Sequence, residues 1–175
     1  MTEQYPELRK LIRDVPDYPQ AGVLFRDITP LLADPKGFAA AIKALAGGFA
    51  ADDIDEVVGI EARGFILAAP VALALGAGFI PVRKPGKLPG AVHEVSYDLE
   101  YGSNTLQAHE DAFRPGSRVL IVDDVLATGG TVAATAELVR RCGSEVVGVM
   151  VLMELLDLRG RQLLEGLDVR AVLAL

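Results

Sequence analysis

The run VLIVDDVLATGGT, residues 119–131, limits what this chain can fold into more than any other feature. Four consecutive aliphatic residues belong to a strand buried on both faces, as in a parallel sheet, because a half-exposed strand alternates apolar and polar positions. The strand then meets two adjacent carboxylates, Asp123 and Asp124, whose like charges repel, and passes into a loop of small residues before a helix begins near Gly130. In open α/β sheets ligands bind at the carboxyl ends of the strands, and the two aspartates are expected at such an end. Ala127, Thr128, Gly129, Gly130 and Thr131 let backbone N–H groups approach an anion closely. The helix N-terminus adds partial positive charge, and the threonine hydroxyls donate further hydrogen bonds. That is a phosphate cradle. Carboxylates beside it would repel a phosphate, so they suit hydroxyl donors, and a phosphorylated sugar satisfies both halves. A plain helix cap accounts for one aspartate, but not for two beside a Gly-Gly-Thr loop.

The remaining apolar runs supply the sheet. PELRKLIRDV places Leu8, Leu11, Ile12 and Val15 on one face, which predicts a first helix; VPDYPQAGVLFRDITP, rich in proline and turn residues, reads as a loop. Asp34 followed by Pro35 is an N-cap with proline at the first helical position, opening a helix that turns Phe38, Ile42, Leu45 and Phe49 inward. EVVGIEARG predicts a strand leading into a helix over 65–75, GFIPVRK a strand, SRVLIVDD a strand and about Gly130 to Arg141 a helix. EVVGVMVLMEL and VRAVLAL are further β-branched apolar runs, the last of them a final strand after a helix, without functional signal. Alternating strands and helices predict an α/β fold: a mostly parallel twisted sheet covered by helices on both faces. Residues 91–111 are polar around a Tyr-Gly-Ser-Asn turn, the mark of a two-stranded excursion or mobile flap.

Composition excludes several classes. At 175 residues, 51% hydrophobic and 23% charged, the chain has the make-up of one globular domain, residues 1–175. A formal charge of −7 argues against a sequence-blind grip on nucleic acid, which needs a basic stripe. The lone Cys142 cannot form an internal disulfide and fits a reducing cytosol, as a small half-buried residue near a helix end. The N-terminus shows no apolar signal region, and the apolar stretch 65–82 is broken by Pro70, Gly76, Gly78 and Pro81, so it reads as helix, turn and strand rather than a membrane span. The P-loop pattern is missing, and the pair Gly76 and Gly78 leads into a strand with Pro81 at the third glycine, so the dinucleotide fingerprint fails. His93 and His109 have no partner at ligand spacing and read as exposed, non-metal residues.

The 119–131 run resembles the signature of the type I phosphoribosyltransferases, which bind phosphoribosyl pyrophosphate (PRPP). GVLFRDITPLL (22–32), EARGF (61–65) and VRKPGKLPG with YDLEYG (82–102) are similar to the adenine phosphoribosyltransferase family, and the similarity runs from the first helix to about Met153. It implies the type I fold with a flexible two-stranded flap over the active site, residues 1–33 forming an N-terminal helix and base-binding loop, and 91–111 the catalytic flap. The resemblance assigns Asp123 and Asp124 to the ribose hydroxyls and Ala127, Thr128, Gly129, Gly130 and Thr131 to the 5′-phosphate. Arg63, Arg83, Lys84, Lys87 and Tyr101 fall to the pyrophosphate, and Leu24, Phe25 and Arg26 to adenine, with Phe25 stacking on the base. Glu100 takes the place of a proposed acid/base at an adenine imidazole nitrogen.

The positive charges near two strand ends and the flat face of Phe25 agree with those roles on chemical grounds. Mg²⁺ is expected to ride on PRPP oxygens without a dedicated protein ligand. The resemblance also implies a cytoplasmic homodimer for purine salvage, with the VRKPGK segment able to reach the partner's site. Ala21 replaces a common proline and Ala62 a serine of some members, which bears on the stiffness of the base-binding loop and on substrate affinity. Transfer to guanine, hypoxanthine or xanthine is one alternative; a non-catalytic PRPP-sensing regulator that binds RNA or DNA is the other.

Overall fold

The structure, a computed structural model, describes residues 5–98 and 103–175. Its centre is a five-stranded parallel sheet of β3 (Glu56–Ile60), β4 (Gly78–Val82), β7 (Arg118–Leu126), β8 (Glu145–Glu154) and β9 (Val169–Ala174), in the order β4–β3–β7–β8–β9. Successive side chains of a strand leave on opposite faces, and both faces here are apolar. Val57, Leu120, Val122, Met150 and Leu152 join the core under α3 (Pro35–Ala46) and α4 (Arg63–Leu75). Val58, Val119, Ile121, Val149 and Val151 join the core under α5 (Gly130–Arg141) and the hairpin β5 (Val92–Asp98) and β6 (Ser103–His109). This is the two-faced burial that the continuous apolar runs require.

The strand order fixes where a ligand can go. From β3 the chain steps outward to β4, and from β7 it steps the other way to β8 and β9. The order therefore reverses between β3 and β7, and the helices that follow them, α4 and α5, cover opposite faces. Their connecting loops part at that point and leave a crevice beyond the strand ends.

Most expected elements recur, with α5 beginning at Gly130 and ending at Arg141. The stretch 65–82 divides into α4, a left-handed Gly76 with φ 67° and β4, and no helix among the described residues is long and apolar enough to cross a membrane. Within the polar stretch, Val92–Asp98 and Ser103–His109 pair antiparallel as β5 and β6. The hairpin continues the sheet edge through Arg83 and Gln107, whose backbones exchange hydrogen bonds of 2.9 and 2.7 Å.

Three readings need correction. The first helix, α1, stops at Arg9, and Arg13–Pro16 is instead a strand, β1, pairing antiparallel with Leu24–Asp27, β2, in what the sequence presents as a loop. Val15 precedes a proline, which disfavours helix there, and the pairing of Val15 with Phe25 overrides the local periodicity. A short helix α2 (Thr29–Ala33) follows; Asp27 accepts from the N–H and hydroxyl of Thr29 at 2.8 and 2.5 Å, and with Arg13 beside it these hydrogen bonds draw its pKa down to about 2. The aspartate pair lies within β7, which continues to Leu126, rather than at its last residue. The helix expected before β9 is two short 3-10 turns, 156–158 and 160–164.

The N-cap of α3 forms as expected: Asp34 accepts from the Gly37 N–H at 2.6 Å. Asp34→Ala should lower stability by about 1 kcal/mol, read as a melting point lower by about 2–4 °C. An unchanged melting point would mean that water replaces the cap at no cost.

Candidate active site

A cleft of about 360 Å³ lies at the carboxyl ends of β3 and β7, lined among others by Glu61, Arg63, Lys84, Asp123, Asp124 and Thr131. Asp123 and Asp124 lie in its floor with only 8% and 4% of their surfaces exposed. The Asp124 N–H donates to Asp123 Oδ1 at 2.9 Å. Arg63, at the start of α4, brings Nη2 to 2.8 Å from Asp124 Oδ2. That is ion-pair distance without hydrogen-bond alignment, so among the described residues Oδ2 is a buried oxygen with no hydrogen-bond partner. Gly64 makes the approach possible: a Cβ there would stand 2.6 Å from Asp123 Oδ1. Burial, then the charge of Asp124, pushes the Asp123 carboxyl well above its ordinary range. Burial raises Asp124 too, against the pull of Arg63. Two buried carboxylates short of donors are ready acceptors for hydroxyl groups.

Beside them, Ala127, Thr128 and Gly129 form the turn into α5, and Thr131 and Val132 continue the lining. Gly129 has φ 90°, a left-handed conformation that glycine adopts without strain, and no side chain caps the helix. The first N–H groups of α5, including that of Gly130, thus lack a side-chain acceptor at the end of the helix that favours negative charge. Thr131 Oγ1 lies 3.0 Å from the Tyr97 hydroxyl on β5, and Asn104 of β6 lines the same wall.

The cationic residues divide. Arg63 and Lys84 line the cleft. Arg83 does not: its Nε donates to Glu61 Oε2 at 3.2 Å, its Nη1 donates to the Lys87 carbonyl at 3.2 Å, and its guanidinium lies 5.9 Å from the Phe65 ring centroid. Glu61 also accepts from the Lys84 N–H at 3.2 Å, and these partners hold its pKa below the ordinary value against burial. Lys87 is exposed, outside the cleft lining.

Residues of β2 divide as well, because side chains alternate along a strand. Phe25 presents its ring to Arg63, with Cζ 5.0 Å from the ring centroid, and Tyr18 packs edge-on at 5.2 Å. Leu24 and Arg26 instead line a second cleft of about 400 Å³ with Leu155, Asp157, Leu158 and Leu175. Glu100 and Tyr101 lie outside the described residues. His93 and His109 are half-buried on the hairpin rather than exposed, and Cys142 is half-buried at the end of α5.

Residues 29–168 match the phosphoribosyl transferase domain family. The adenine phosphoribosyltransferase of Cutibacterium acnes is 62% identical over 165 residues, 94% of this chain and 93% of that one. The chain belongs to the adenine phosphoribosyltransferase family. Among solved structures, the adenine phosphoribosyltransferase of Rhodothermus marinus is similar with a TM-score of 0.93 at 51% identity, over 98% of each chain. That of Saccharomyces cerevisiae, complexed with D-2,5-dideoxy-2,5-imino-altritol 1,6-bisphosphate and adenine, gives 0.92 at 39% identity over 99% of this chain and 100% of that one. The fold is that of the type I phosphoribosyltransferases, and the chain is an enzyme of the pentosyltransferase class.

For a phosphoribosyltransferase, the cleft holds residues that its sequence does not announce. Glu61 stands inside the EARGF run but is recognisable as a partner of Arg83 only once β3 and β4 are adjacent. Tyr97 and Asn104 arrive with the hairpin, whose register pairs them with each other.

Asp123→Asn keeps an acceptor for the Asp124 N–H and removes a repelled charge. A raised native pKa means that the folded state holds its proton more tightly than the unfolded chain, so this group's contribution weakens as pH rises through the native pKa and is fully present below about pH 4. The unliganded variant should therefore gain about 0.5–2 kcal/mol at neutral pH, and the gain should vanish as pH falls to about 4. Thermal melts across that range test it; a loss of stability at neutral pH would contradict the repulsion.

Proposed function

We propose that this enzyme transfers the 5-phosphoribosyl group of PRPP to adenine, giving AMP and diphosphate, and that it serves purine salvage. The observation that carries the assignment is the pairing, in one cleft, of a buried Asp124 oxygen that has an ion pair but no hydrogen bond among the described residues with an uncapped glycine loop at a helix N-terminus. The first calls for a hydroxyl, the second for a phosphate. The names of the close relatives favour adenine among the bases.

On this proposal Asp123 and Asp124 accept the ribose 2′ and 3′ hydroxyls, and residues 127–131 hold the 5′-phosphate. Arg63 and Lys84 hold the pyrophosphate, with Arg83, Lys87 and Tyr101 contributing; Arg83 acts there through Glu61. Mg²⁺ bound through PRPP oxygens would neutralise charge on the departing diphosphate. The bond from the anomeric carbon to the pyrophosphate oxygen breaks ahead of bond formation to an adenine imidazole nitrogen, so positive charge develops on the ribose. The two carboxylates sit where that charge appears, and the cationic groups stabilise the leaving group.

Adenine stacks on Phe25. The edge of β2 not paired with β1 supplies backbone donors and acceptors for the base, as the positions of Leu24 and Arg26 imply. Glu100 manages the proton on the imidazole ring as the β5–β6 hairpin closes and excludes water. We further propose one domain over 1–175, a cytoplasmic location in keeping with the lone Cys142, and a homodimer. Support for the dimer comes from the exposed apolar residues Ile66 and Leu73 on α4 and Phe79 on edge strand β4, Leu73 being 83% exposed.

AMP formation from PRPP and Mg²⁺, with adenine, guanine, hypoxanthine and xanthine supplied in parallel, tests the assignment. Product from adenine alone is expected. Product from another base would reassign the acceptor, and PRPP binding without any product would make the cleft a sensor. Glu100→Ala should lower turnover by about 10²–10⁴-fold while PRPP affinity changes far less; unchanged turnover would remove Glu100 from the chemistry.

A further inference from the structure

The connection from β8 to β9 lines the 400 Å³ cleft and packs against the turn that lines the 360 Å³ one. It leaves the sheet at Leu155, whose N–H donates to the Leu126 carbonyl at 2.9 Å, and Leu156 donates to the Leu175 carbonyl at 2.9 Å. Leu155, Asp157 and Leu158 then face Leu24 and Arg26 of β2 across the 400 Å³ cleft. Arg159 turns left-handed at φ 51°, and Gly160 opens the turn 160–164.

Gly160 lies flat against the phosphate loop. A Cβ on it would come to 3.1 Å from both the Gly129 nitrogen and the Ala127 carbonyl carbon, and nearer still to the Ala127 oxygen. Reciprocally, a Cβ on Gly129 would stand 2.5 Å from the Gly160 oxygen. The contact is backbone on backbone, so no side-chain rotation relieves an added atom.

One side of that contact is anchored. Arg161 Nε donates to both oxygens of the buried Glu154 at 2.7 and 2.8 Å, Arg161 Nη1 donates to the Val169 carbonyl, and Leu164 is buried in the core. The other side carries the exposed Thr128. An atom added at the contact must displace one of the two segments, and the Arg161–Glu154 clamp resists movement of 160–164.

We propose that Gly160 is a positioning residue for the 5′-phosphate. Held by the Arg161–Glu154 clamp, it presses the 127–129 turn into the geometry that aims its N–H groups, and it does so from a segment that also faces the base-binding strand. The proposal rests on the assignment of residues 127–131 to the 5′-phosphate. It extends the cradle to a part of the chain that carries no recognisable motif.

Calorimetric titration of the full-length enzyme with ribose 5-phosphate and, separately, with magnesium pyrophosphate separates this role from general stability. Gly160→Ala should weaken ribose 5-phosphate by about tenfold or more, since displacements near 1 Å are costly at a preorganised site, and leave magnesium pyrophosphate, which the loop does not touch, within about twofold. Arg161→Ala adds no atom at the contact and should give the same selective loss in smaller measure; it carries the test if Gly160→Ala does not fold. Arg161→Lys, which keeps the charge but not the two-pronged fork, should fall between Arg161→Ala and the wild type. Equal weakening of both ligands, or none, in the variants that fold would overturn the positioning role. Failure of the wild type to bind ribose 5-phosphate would instead overturn the underlying assignment.

Discussion

The Asp123–Asp124 pair is the constraint around which the rest of the structure is arranged. Two carboxylates stand side by side on a central strand, at the point where the strand order reverses and both neighbouring loops turn away. Burial there is unfavourable for charge, and it becomes tolerable through three local provisions: the Arg63 guanidinium, the Asp124 N–H and the space left by Gly64. The contrast with the chain's satisfied acids is instructive. Asp55 takes the N–H, Nε and Nη2 of Arg118 at 2.8, 3.0 and 3.2 Å, and its pKa falls to about 2. Asp27, with Thr29 and Arg13, falls equally far. The cleft pair goes the other way because burial, and for Asp123 the neighbouring charge of Asp124, outweighs the donors it has. On the proposed function, that imbalance is what a hydroxyl-bearing ligand relieves.

How much of this is legible in the sequence follows from the range of each interaction. The central strands and α5 are announced by runs of residues that are buried on both faces or on one helical stripe, so their patterns are local and strong. The 127–131 cradle is contiguous, and its chemistry can be deduced from adjacent residues. The β1–β2 ribbon is a different matter. Leu8, Leu11, Ile12 and Val15 have helical spacing, yet the helix ends at Arg9 and the pairing of Arg13–Pro16 with Leu24–Asp27 puts Val15 in a strand.

Arg83 shows the same limit at the site. Its charge and its place after β4 suggest an anion ligand, yet its guanidinium pairs with Glu61, brought alongside by the parallel pairing of β3 and β4. Gly160 is the extreme case. Nothing in its neighbours marks it, because the reason for the absent side chain is the backbone of Ala127 and Gly129, far away in the chain.

The β1–β2 ribbon, which carries the residues proposed to meet the base, is the part of the proposed site least able to hold its own shape. A two-stranded ribbon is marginal by itself, and the ion pairs that flank it, Arg13 with Asp27 and Arg26 with Asp14, join partly exposed partners and contribute little each. Two ties come from elsewhere. Phe25 lies against Arg63, which in turn faces Asp124, so the strand is linked to the aspartate pair through one guanidinium. The 155–158 segment faces Leu24 and Arg26 on the other side and continues into the contact with the phosphate loop. The first tie ends at the Asp123–Asp124 pair and the second at the 127–129 turn. On the proposed assignment of those residues to the phosphorylated sugar, groups that engage Arg63 would act on the strand proposed to receive the base. The donor site would then organise the acceptor site, since a two-stranded ribbon is marginal by itself.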